Sequence, residues 1–319
     1  MGDEKPFDIN DARPTSVRHL IGQPGVVEQI VVALDSAQQD NRKFDHALLV
    51  GPPGCGKTAA SQIIAAEMGT DFLEVLGQSI NSVADLNALL LQATDRAVVF
   101  IDEAHELDKS LQTAIYLCVD QRRVLLQGSR RGSTPIAVPI KDFTLLLAST
   151  DEFQLLQPLR DRMRLVLRFQ FYQPEDLAQI ARHRTRALGW EVEESALPQI
   201  AQRSRGTPRL ALRLLQAARR VARAGGESVV TLAHLERACQ LEQIDHLGLG
   251  PTEQQYLGIL LEGPTRLNML ASRLGLPART VAEVTEPFLI RVGLVVKDDQ
   301  GRRQLSAEGR VHAGRQLLV

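Results

Sequence analysis

Four scarcities bound this chain of 319 residues before any motif is read. Cysteine occurs only at Cys55, Cys118 and Cys239, far apart and without the spacing of a disulfide framework or a metal knuckle, which points to a reducing, cytoplasmic setting. No apolar run approaches the ~18 residues of a spanning helix, so no membrane partner is expected. Met1-Gly2-Asp3-Glu4-Lys5-Pro6 lacks the apolar segment of a leader, and Pro6 breaks a myristoylation pattern. Neither charge sign prevails, with 37 Lys and Arg against 38 Asp and Glu, so any contact with nucleic acid must come from a local patch.

What is present is an ordinary globular composition, 44% hydrophobic and 24% charged, in a chain long enough for two or three domains. Its most specific segment is Gly51-Pro52-Pro53-Gly54-Cys55-Gly56-Lys57-Thr58, between the apolar run Ala47-Leu48-Leu49-Val50 and a helical stretch opening at Ala59. This pattern is a phosphate-binding loop: glycines let backbone amides turn toward an anion, Lys57 reaches the terminal phosphates, and the Thr58 hydroxyl serves Mg²⁺. The helix dipole adds to the attraction. A glycine turn that merely ends a strand would not require Lys57 and Thr58. Cys55 reads as loop filler, with an oxidation-sensitive thiol as the alternative.

Farther along, Ala97-Val98-Val99-Phe100-Ile101 shows no alternation, as expected of a parallel strand covered on both faces, and it ends in Asp102-Glu103. There Asp102 would hold metal-bound water and Glu103 would be the base that polarises the attacking water. Strands expected near 47–50, 71–75, 97–102, 143–149 and 165–169 alternate with helices near 24–38, 57–68, 83–93 and 108–120, which is the pattern of an α/β parallel sheet. Between them, Val124-Leu125-Leu126-Gln127, a Gly128-to-Gly132 turn with Arg130 and Arg131, and Ile136-Ala137-Val138 read as a projecting hairpin spanning about 123–140. It is either a plain sheet-edge hairpin or a docking arm.

Past residue 173 the period becomes helical. Pro174 opens one helix, and in Gly206-Thr207-Pro208-Arg209, Thr207 suits an N-cap and Pro208 a first helical position. Arg209 then opposes the helix dipole, a conflict that a bound phosphate removes. After Gly248-Leu249-Gly250, Thr252-Glu253-Gln254-Gln255 resembles a capping box, and three short apolar-striped helices precede strands at 294–296 and 303–305. That outline is a winged helix, with Arg279, Arg291, Arg302 and Arg303 as a modest basic, DNA-binding face; winged helices also bind proteins.

Taken in order, these segments resemble the RuvB family, the bacterial AAA+ motors of Holliday-junction branch migration. The resemblance rests on the phosphate loop, Phe100-Ile101-Asp102-Glu103-Ala104-His105, Pro158-Leu159-Arg160-Asp161-Arg162, Phe171-Tyr172-Gln173, Gly206-Thr207-Pro208-Arg209 and Glu286-Pro287-Phe288-Leu289-Ile290. It extends from Arg13-Pro14 and Ile21-Gly22-Gln23 to the winged helix. It implies an AAA+ P-loop ATPase domain over 1–172, an α-helical lid over 173–246 and a C-terminal winged-helix domain over 251–319.

It also implies ATP and Mg²⁺ as ligands. The nucleotide would contact Arg13, Ile21, Gly22, the loop residues Gly51, Pro52, Pro53, Gly54, Cys55, Gly56, Lys57, Thr58 and Ala59, then Tyr172, Pro208 and Arg209. Thr58 and Asp102 would serve the metal, Tyr172 and Ile21 would flank adenine, and Thr150 would be a polar sensor. Arg209 would sense the γ-phosphate from the lid, and Arg162 would act as an arginine finger on a neighbouring subunit. A homo-hexameric ring on duplex or four-way junction DNA follows, with Ile136 and Val138 docking a RuvA-like adaptor.

The chain departs from the family pattern at Glu106, where an arginine is usual, at Asp151 after the sensor, at Arg164 after the finger and at Gln300 on the wing. A nucleotide-switched binding module without branch migration is the alternative reading; intact Glu103 and Arg162 favour hydrolysis. Sequence-specific regulation through the winged helix fits the weak basic face poorly.

Overall fold

The centre of the molecule is a sheet whose strands are apolar on both sides. The computed structural model describes Ile9, residues 12–126 and residues 135–316. Five parallel strands, β1 (Ala47–Val50), β2 (Phe72–Leu76), β3 (Val98–Asp102), β6 (Thr144–Ser149) and β7 (Leu165–Arg168), lie in the order β2-β3-β6-β1-β7. One face sends Leu48, Val99, Ile101, Leu145 and Leu147 into a core closed by α3 (Val83–Gln92) and α4 (Lys109–Gln121). The other sends Ala47, Leu49, Val98, Phe100 and Leu146 against α1 (Pro24–Gln39) and α2 (Lys57–Met68). Successive strand residues point to opposite faces, so a sheet sandwiched between helices needs apolar residues at every position.

The expected elements up to β7 all form, with boundaries displaced by a residue or so. A separate antiparallel hairpin pairs β4 (Arg123–Leu126) with β5 (Ile136–Pro139), placing Leu126 opposite Ile136 and Val124 opposite Val138. The expected Gly128-to-Gly132 turn, with Arg130 and Arg131, lies outside the described residues. The short α5 (Gln157–Arg160) precedes β7, and α6 (Pro174–Ala187) follows it.

By compactness the chain forms two units, one running to Leu188 with Thr207–Arg209, the other holding Gly189–Gly206 and everything from Leu210. The second unit contains α7 (Ala196–Gln202), most of α8 (Pro208–Ala224), α9 (Leu232–Leu241), and a two-strand pair of β8 (Glu191–Val192) with β9 (Val229–Val230) that the sequence reading does not anticipate. Its remaining elements are α10 (Pro251–Leu261), α11 (Leu267–Leu274), α12 (Ala278–Thr280), a π turn over Val281–Thr285, α13 (Glu286–Arg291), the antiparallel wing of β10 (Val295–Lys297) with β11 (Arg303–Leu305), and a final helix α14 (Ala307–Gln316).

The capping box expected at Thr252 is displaced. The helix begins at Pro251, Gly250 is the N-cap, and Glu253 Oε2 accepts from Gly250 N at 3.1 Å. Proline at the first helical position, where no amide partner is needed, moves the start two residues upstream of that reading.

Candidate active site

The phosphate loop joins β1 to α2. Gly56 caps α2 in the left-handed region at φ 95°, which a side chain would strain. Within the loop, buried Lys57 donates from Nζ to Gly51 O at 2.7 Å and Pro52 O at 3.1 Å, so the ammonium bridges the concavity that the loop encloses. Burial pulls the Lys57 pKa below the ordinary lysine range, against the opposing pull of Glu103 and Asp102. An anion in the loop restores what burial removes.

Asp102 ends β3, two strands from β1, and its Oδ2 accepts from Thr58 Oγ1 at 3.2 Å. A hydroxyl and a carboxylate side by side are the hard oxygen ligands that Mg²⁺ uses, alone or through its retained waters, so these residues fit that ion. Asp102 Oδ1 accepts from Glu103 N at 2.9 Å, and Glu103 itself stands at φ 48°. A non-glycine residue in that region is held there by its surroundings. Thr150, just past β6, donates to Glu103 Oε2 at 3.5 Å. Lys57, Thr58, Asp102, Glu103 and Thr150 thus gather at the C-terminal ends of the three neighbouring strands β3, β6 and β1. That is where open α/β sheets bind ligands.

His105, quoted in the sequence only as part of a motif, joins this cluster: Nδ1 lies 3.2 Å from Ser149 Oγ and 3.4 Å from Glu103 Oε2, and Nε2 lies 3.4 Å from Glu106 Oε1. An open cavity of about 400 Å³ is lined by Pro53, Glu103, His105, Glu106 and Thr150, with Leu76 from the end of β2 and Gln78 from the turn after it. The Glu106 departure therefore adds a carboxylate beside the candidate base.

Arg209 reaches the loop from far along the chain. Its backbone N lies 3.5 Å from Gly54 O, and a Cβ on Gly54 would stand 3.0 Å from Arg209 Cβ. Pro208 is the first residue of α8, as the cap signals require. Tyr172 Oη donates to Cys55 O at 3.3 Å, and its ring edge lies 3.0 Å from where a Cβ of Gly22 would be. Gly22 has φ 68°, and Ile21 beside it is half-buried. Arg13 is exposed, with Nη1 3.4 Å from Gln62 Oε1 on α2. Cys55 is wholly buried.

Arg162 packs against α4 of its own chain. Nε stands 2.9 Å from both carboxylate oxygens of Asp120, Nη2 also bonds Asp120, and the guanidinium covers the Tyr116 ring at 4.6 Å. The acid adjacent in sequence, Asp161, accepts instead from Gln157. Of the neighbouring departures, Arg164 pairs with Asp45 at 3.0 Å, and Asp151 caps the following turn through Phe153 N at 3.0 Å.

On the hairpin, Ile136 is 62% exposed but Val138 packs against the core beneath the sheet; Leu125 is also exposed, at 53%. Alternation along β4 turns Leu125 away from buried Val124. The basic face of the winged helix is thinner than its sequence implies. Arg303 turns inward to buried Glu286, with Nε–Oε1 2.9 Å and Nη2–Oε2 3.1 Å. Arg291 donates to Arg205 O at 2.6 Å beside Phe288. Arg279 and Arg302 remain at the surface, each beside an acid four residues away, Glu283 at 2.9 Å and Asp298 at 2.7 Å. Gln300 sits in the wing turn, its amide 3.0 Å from Asp298 Oδ1. No helix among the described residues is long and apolar enough to cross a membrane.

Comparison with known proteins covers nearly the whole chain. Residues 12–169 match the Holliday junction DNA helicase RuvB P-loop domain, 172–245 the RuvB AAA lid domain and 246–313 the RuvB C-terminal winged helix domain. The Holliday junction branch migration complex subunit RuvB of Nocardia farcinica is 39% identical over 295 residues, 91% of this chain and 83% of that protein. Its counterpart in Mycobacterium avium is 37% identical over 316 residues, 98% and 90% of the two chains. The solved Thermotoga maritima RuvB Holliday junction branch migration motor is 31% identical, with a TM-score of 0.81 over 95% of this chain and 98% of that one. A point mutant of the same Thermotoga protein, again 31% identical, gives a TM-score of 0.83 over 95% of this chain and 99% of that one.

Proposed function

The chain belongs to the RuvB family of P-loop ATPases, and we propose that it is an ATP-hydrolysing DNA motor that drives branch migration of four-way junctions from within a homo-hexameric ring. Residues 1–172 then serve as the ATPase domain, 173–246 as the lid and 251–319 as the DNA-binding winged helix. The observation that carries the hydrolytic reading is the meeting of Lys57, Thr58, Asp102, Glu103 and Thr150 at three adjacent strand ends.

In that reading Lys57 and the loop amides hold the β- and γ-phosphates, and Arg209 contacts the γ-phosphate from the first turn of α8. Tyr172 and Ile21 flank the base, with Gly22 leaving room for it; Pro208 and Arg13 border the nucleotide. Glu103, positioned by its backbone and by Thr150, accepts hydrogen bonds from the attacking water. Mg²⁺, held by Thr58 and Asp102, neutralises phosphate charge when bound. Arg162 serves the ATP of an adjacent subunit, since a finger supplied in trans stabilises transition-state charge only once a ring has formed. Ile136 offers an exposed apolar side chain to a RuvA-type adaptor, and Arg279 and Arg302 supply phosphate contacts.

The test is steady-state ATP hydrolysis with and without synthetic junction DNA, comparing the intact chain with Lys57→Ala and Arg162→Ala. Stimulation by junction DNA that is absent from both variants supports the motor. Hydrolysis indifferent to every DNA and to loss of Arg162 contradicts it and leaves the nucleotide-switched module.

A further inference from the structure

Far from the nucleotide loop in sequence, Asp245, His246 and His312 bring a carboxylate and two imidazoles together, with donor atoms all within 4.8 Å of one another. Asp245 and His246 lie on the connector between α9 and α10, and His312 lies on α14. His312 is buried, and its Nε2 stands 2.8 Å from Asp245 Oδ2. The His246 ring faces it, centroids 5.0 Å apart at 44°, and is exposed to solvent.

Asp245 is oriented from behind. Its Oδ1 accepts from Leu247 N at 2.9 Å and Leu249 N at 2.8 Å, while its own backbone N donates to Leu249 O at 3.0 Å. The connector is therefore folded around this carboxylate, leaving Oδ2 turned toward the imidazoles.

We propose that Asp245, His246 and His312 form a binding site for a late first-row divalent metal ion, Zn²⁺ foremost, which ties the connector to α14. Two imidazoles and a carboxylate are a donor set that Zn²⁺ takes readily, whereas Mg²⁺ requires oxygens. Backbone donors on the far oxygen of a ligating carboxylate are the outer support that fixes such ligands. The bond between Asp245 and His312 engages one imidazole, and the second brings a third ligand atom within 4.8 Å of both. Three protein ligands leave a fourth position at the solvent side of His246 for water.

Loading replaces the hydrogen bond between His312 and Asp245. Donors at about 2.1 Å from a tetrahedral ion stand roughly 3.4 Å apart, so the two side chains separate by about half an ångström. A neutral His312 bonded to the carboxylate carries its single ring proton on Nε2, so taking the metal there moves that proton by way of solvent to Nδ1; a doubly protonated ring keeps its Nδ1 proton and releases the Nε2 proton to solvent.

The experiment uses the full chain without an affinity tag, stripped of metal by a chelator and free of nucleotide. Zn²⁺ is titrated against a chromophoric competitor, and Co²⁺ is followed by its visible absorption. The expected result is one Zn²⁺ per chain with a dissociation constant below ~10 μM, weakened at least tenfold by His246→Ala and by Asp245→Asn. Because His246 is exposed, its substitution leaves the fold intact. His105→Ala, which removes the imidazole of the nucleotide site, leaves the affinity unchanged. Binding weaker than ~10 μM, or equal binding by the intact chain and His246→Ala, overturns the proposal.

Discussion

The Arg162 guanidinium rests on the Asp120 carboxylate, its Nε 2.9 Å from both oxygens, although 42 residues separate the two in sequence. The pair lies at the surface, so its own contribution to stability is about 0–1 kcal/mol. What it supplies is orientation: a guanidinium anchored on α4 and stacked on Tyr116 keeps a fixed direction. Arg162→Ala is expected to lower the hydrolysis rate of the assembled ring by ~10³ or more, whereas Asp120→Ala costs only about threefold through looser positioning. Rates measured at saturating ATP on assembled protein separate the two.

Lys57 spans the loop carbonyls by charged hydrogen bonds that phosphate oxygens would take over. Removing such a bond costs roughly 1.5–3 kcal/mol, so Lys57→Ala should weaken ATP affinity about 10- to 150-fold with the melting temperature nearly unchanged. Titration with a fluorescent nucleotide alongside thermal denaturation checks both parts.

His46 gives the fold a pH dependence of its own. Its Nδ1 accepts from Leu145 N at 2.8 Å; burial first, then the neighbouring Lys43 charge, pull its pKa down to about 4. The unfolded chain takes up the proton near pH 6.5 and the folded chain resists it until about 4, so unfolding binds a proton in between. Stability is fully present above pH 6.5 and falls as the pH drops toward 4, by on the order of 3 kcal/mol in total. Urea denaturation from pH 7 to 4 should show this slope, and His46→Asn should flatten it.

In the winged helix, Arg303 and Arg302 adjoin in sequence and separate in consequence. Arg303 neutralises buried Glu286, so Arg303→Ala leaves that carboxylate with Lys297, 3.2 Å away, as its remaining ion-pair partner among the described residues and costs about 3 kcal/mol of stability. Arg302→Ala and Arg279→Ala leave stability unchanged within about 0.5 kcal/mol and reduce the salt dependence of DNA binding by roughly one phosphate contact each. Calorimetry and DNA titration over a range of salt distinguish these effects.

The hairpin makes a further separation. Ile136→Asp changes an exposed position and should leave folding and basal hydrolysis within about 0.5 kcal/mol of the intact chain while abolishing capture of a RuvA-type adaptor. Val138→Asp, set against the core, should instead unfold the hairpin base. Size-exclusion binding assays with near-ultraviolet dichroism report each outcome.

These pairs show where the sequence was legible. Strand, loop and helix around Lys57 are local, as is the tip of β3 carrying Asp102 and Glu103; turn chemistry and unbroken apolar runs specify both. The partner of Arg162 was not legible, because nothing local distinguishes Asp120 from adjacent Asp161, and fold geometry alone selects it. Arg303 reads as a surface cation until Glu286 is seen beneath it. The final helix α14 escaped because Gly309, Gly314 and scattered charges hide its periodicity, although His312 and Ala313 are buried on it. The β8–β9 pair is two residues per strand, too short for alternation to register.

The most direct measurement is ATP-driven dissociation of a synthetic four-way junction by the chain together with a RuvA-type adaptor, followed by gel separation of the product duplexes. The account predicts product that requires ATP, disappears with Lys57→Ala or Arg162→Ala, and falls sharply with Ile136→Asp. Junction left intact while the same protein hydrolyses ATP at an undiminished rate would contradict it.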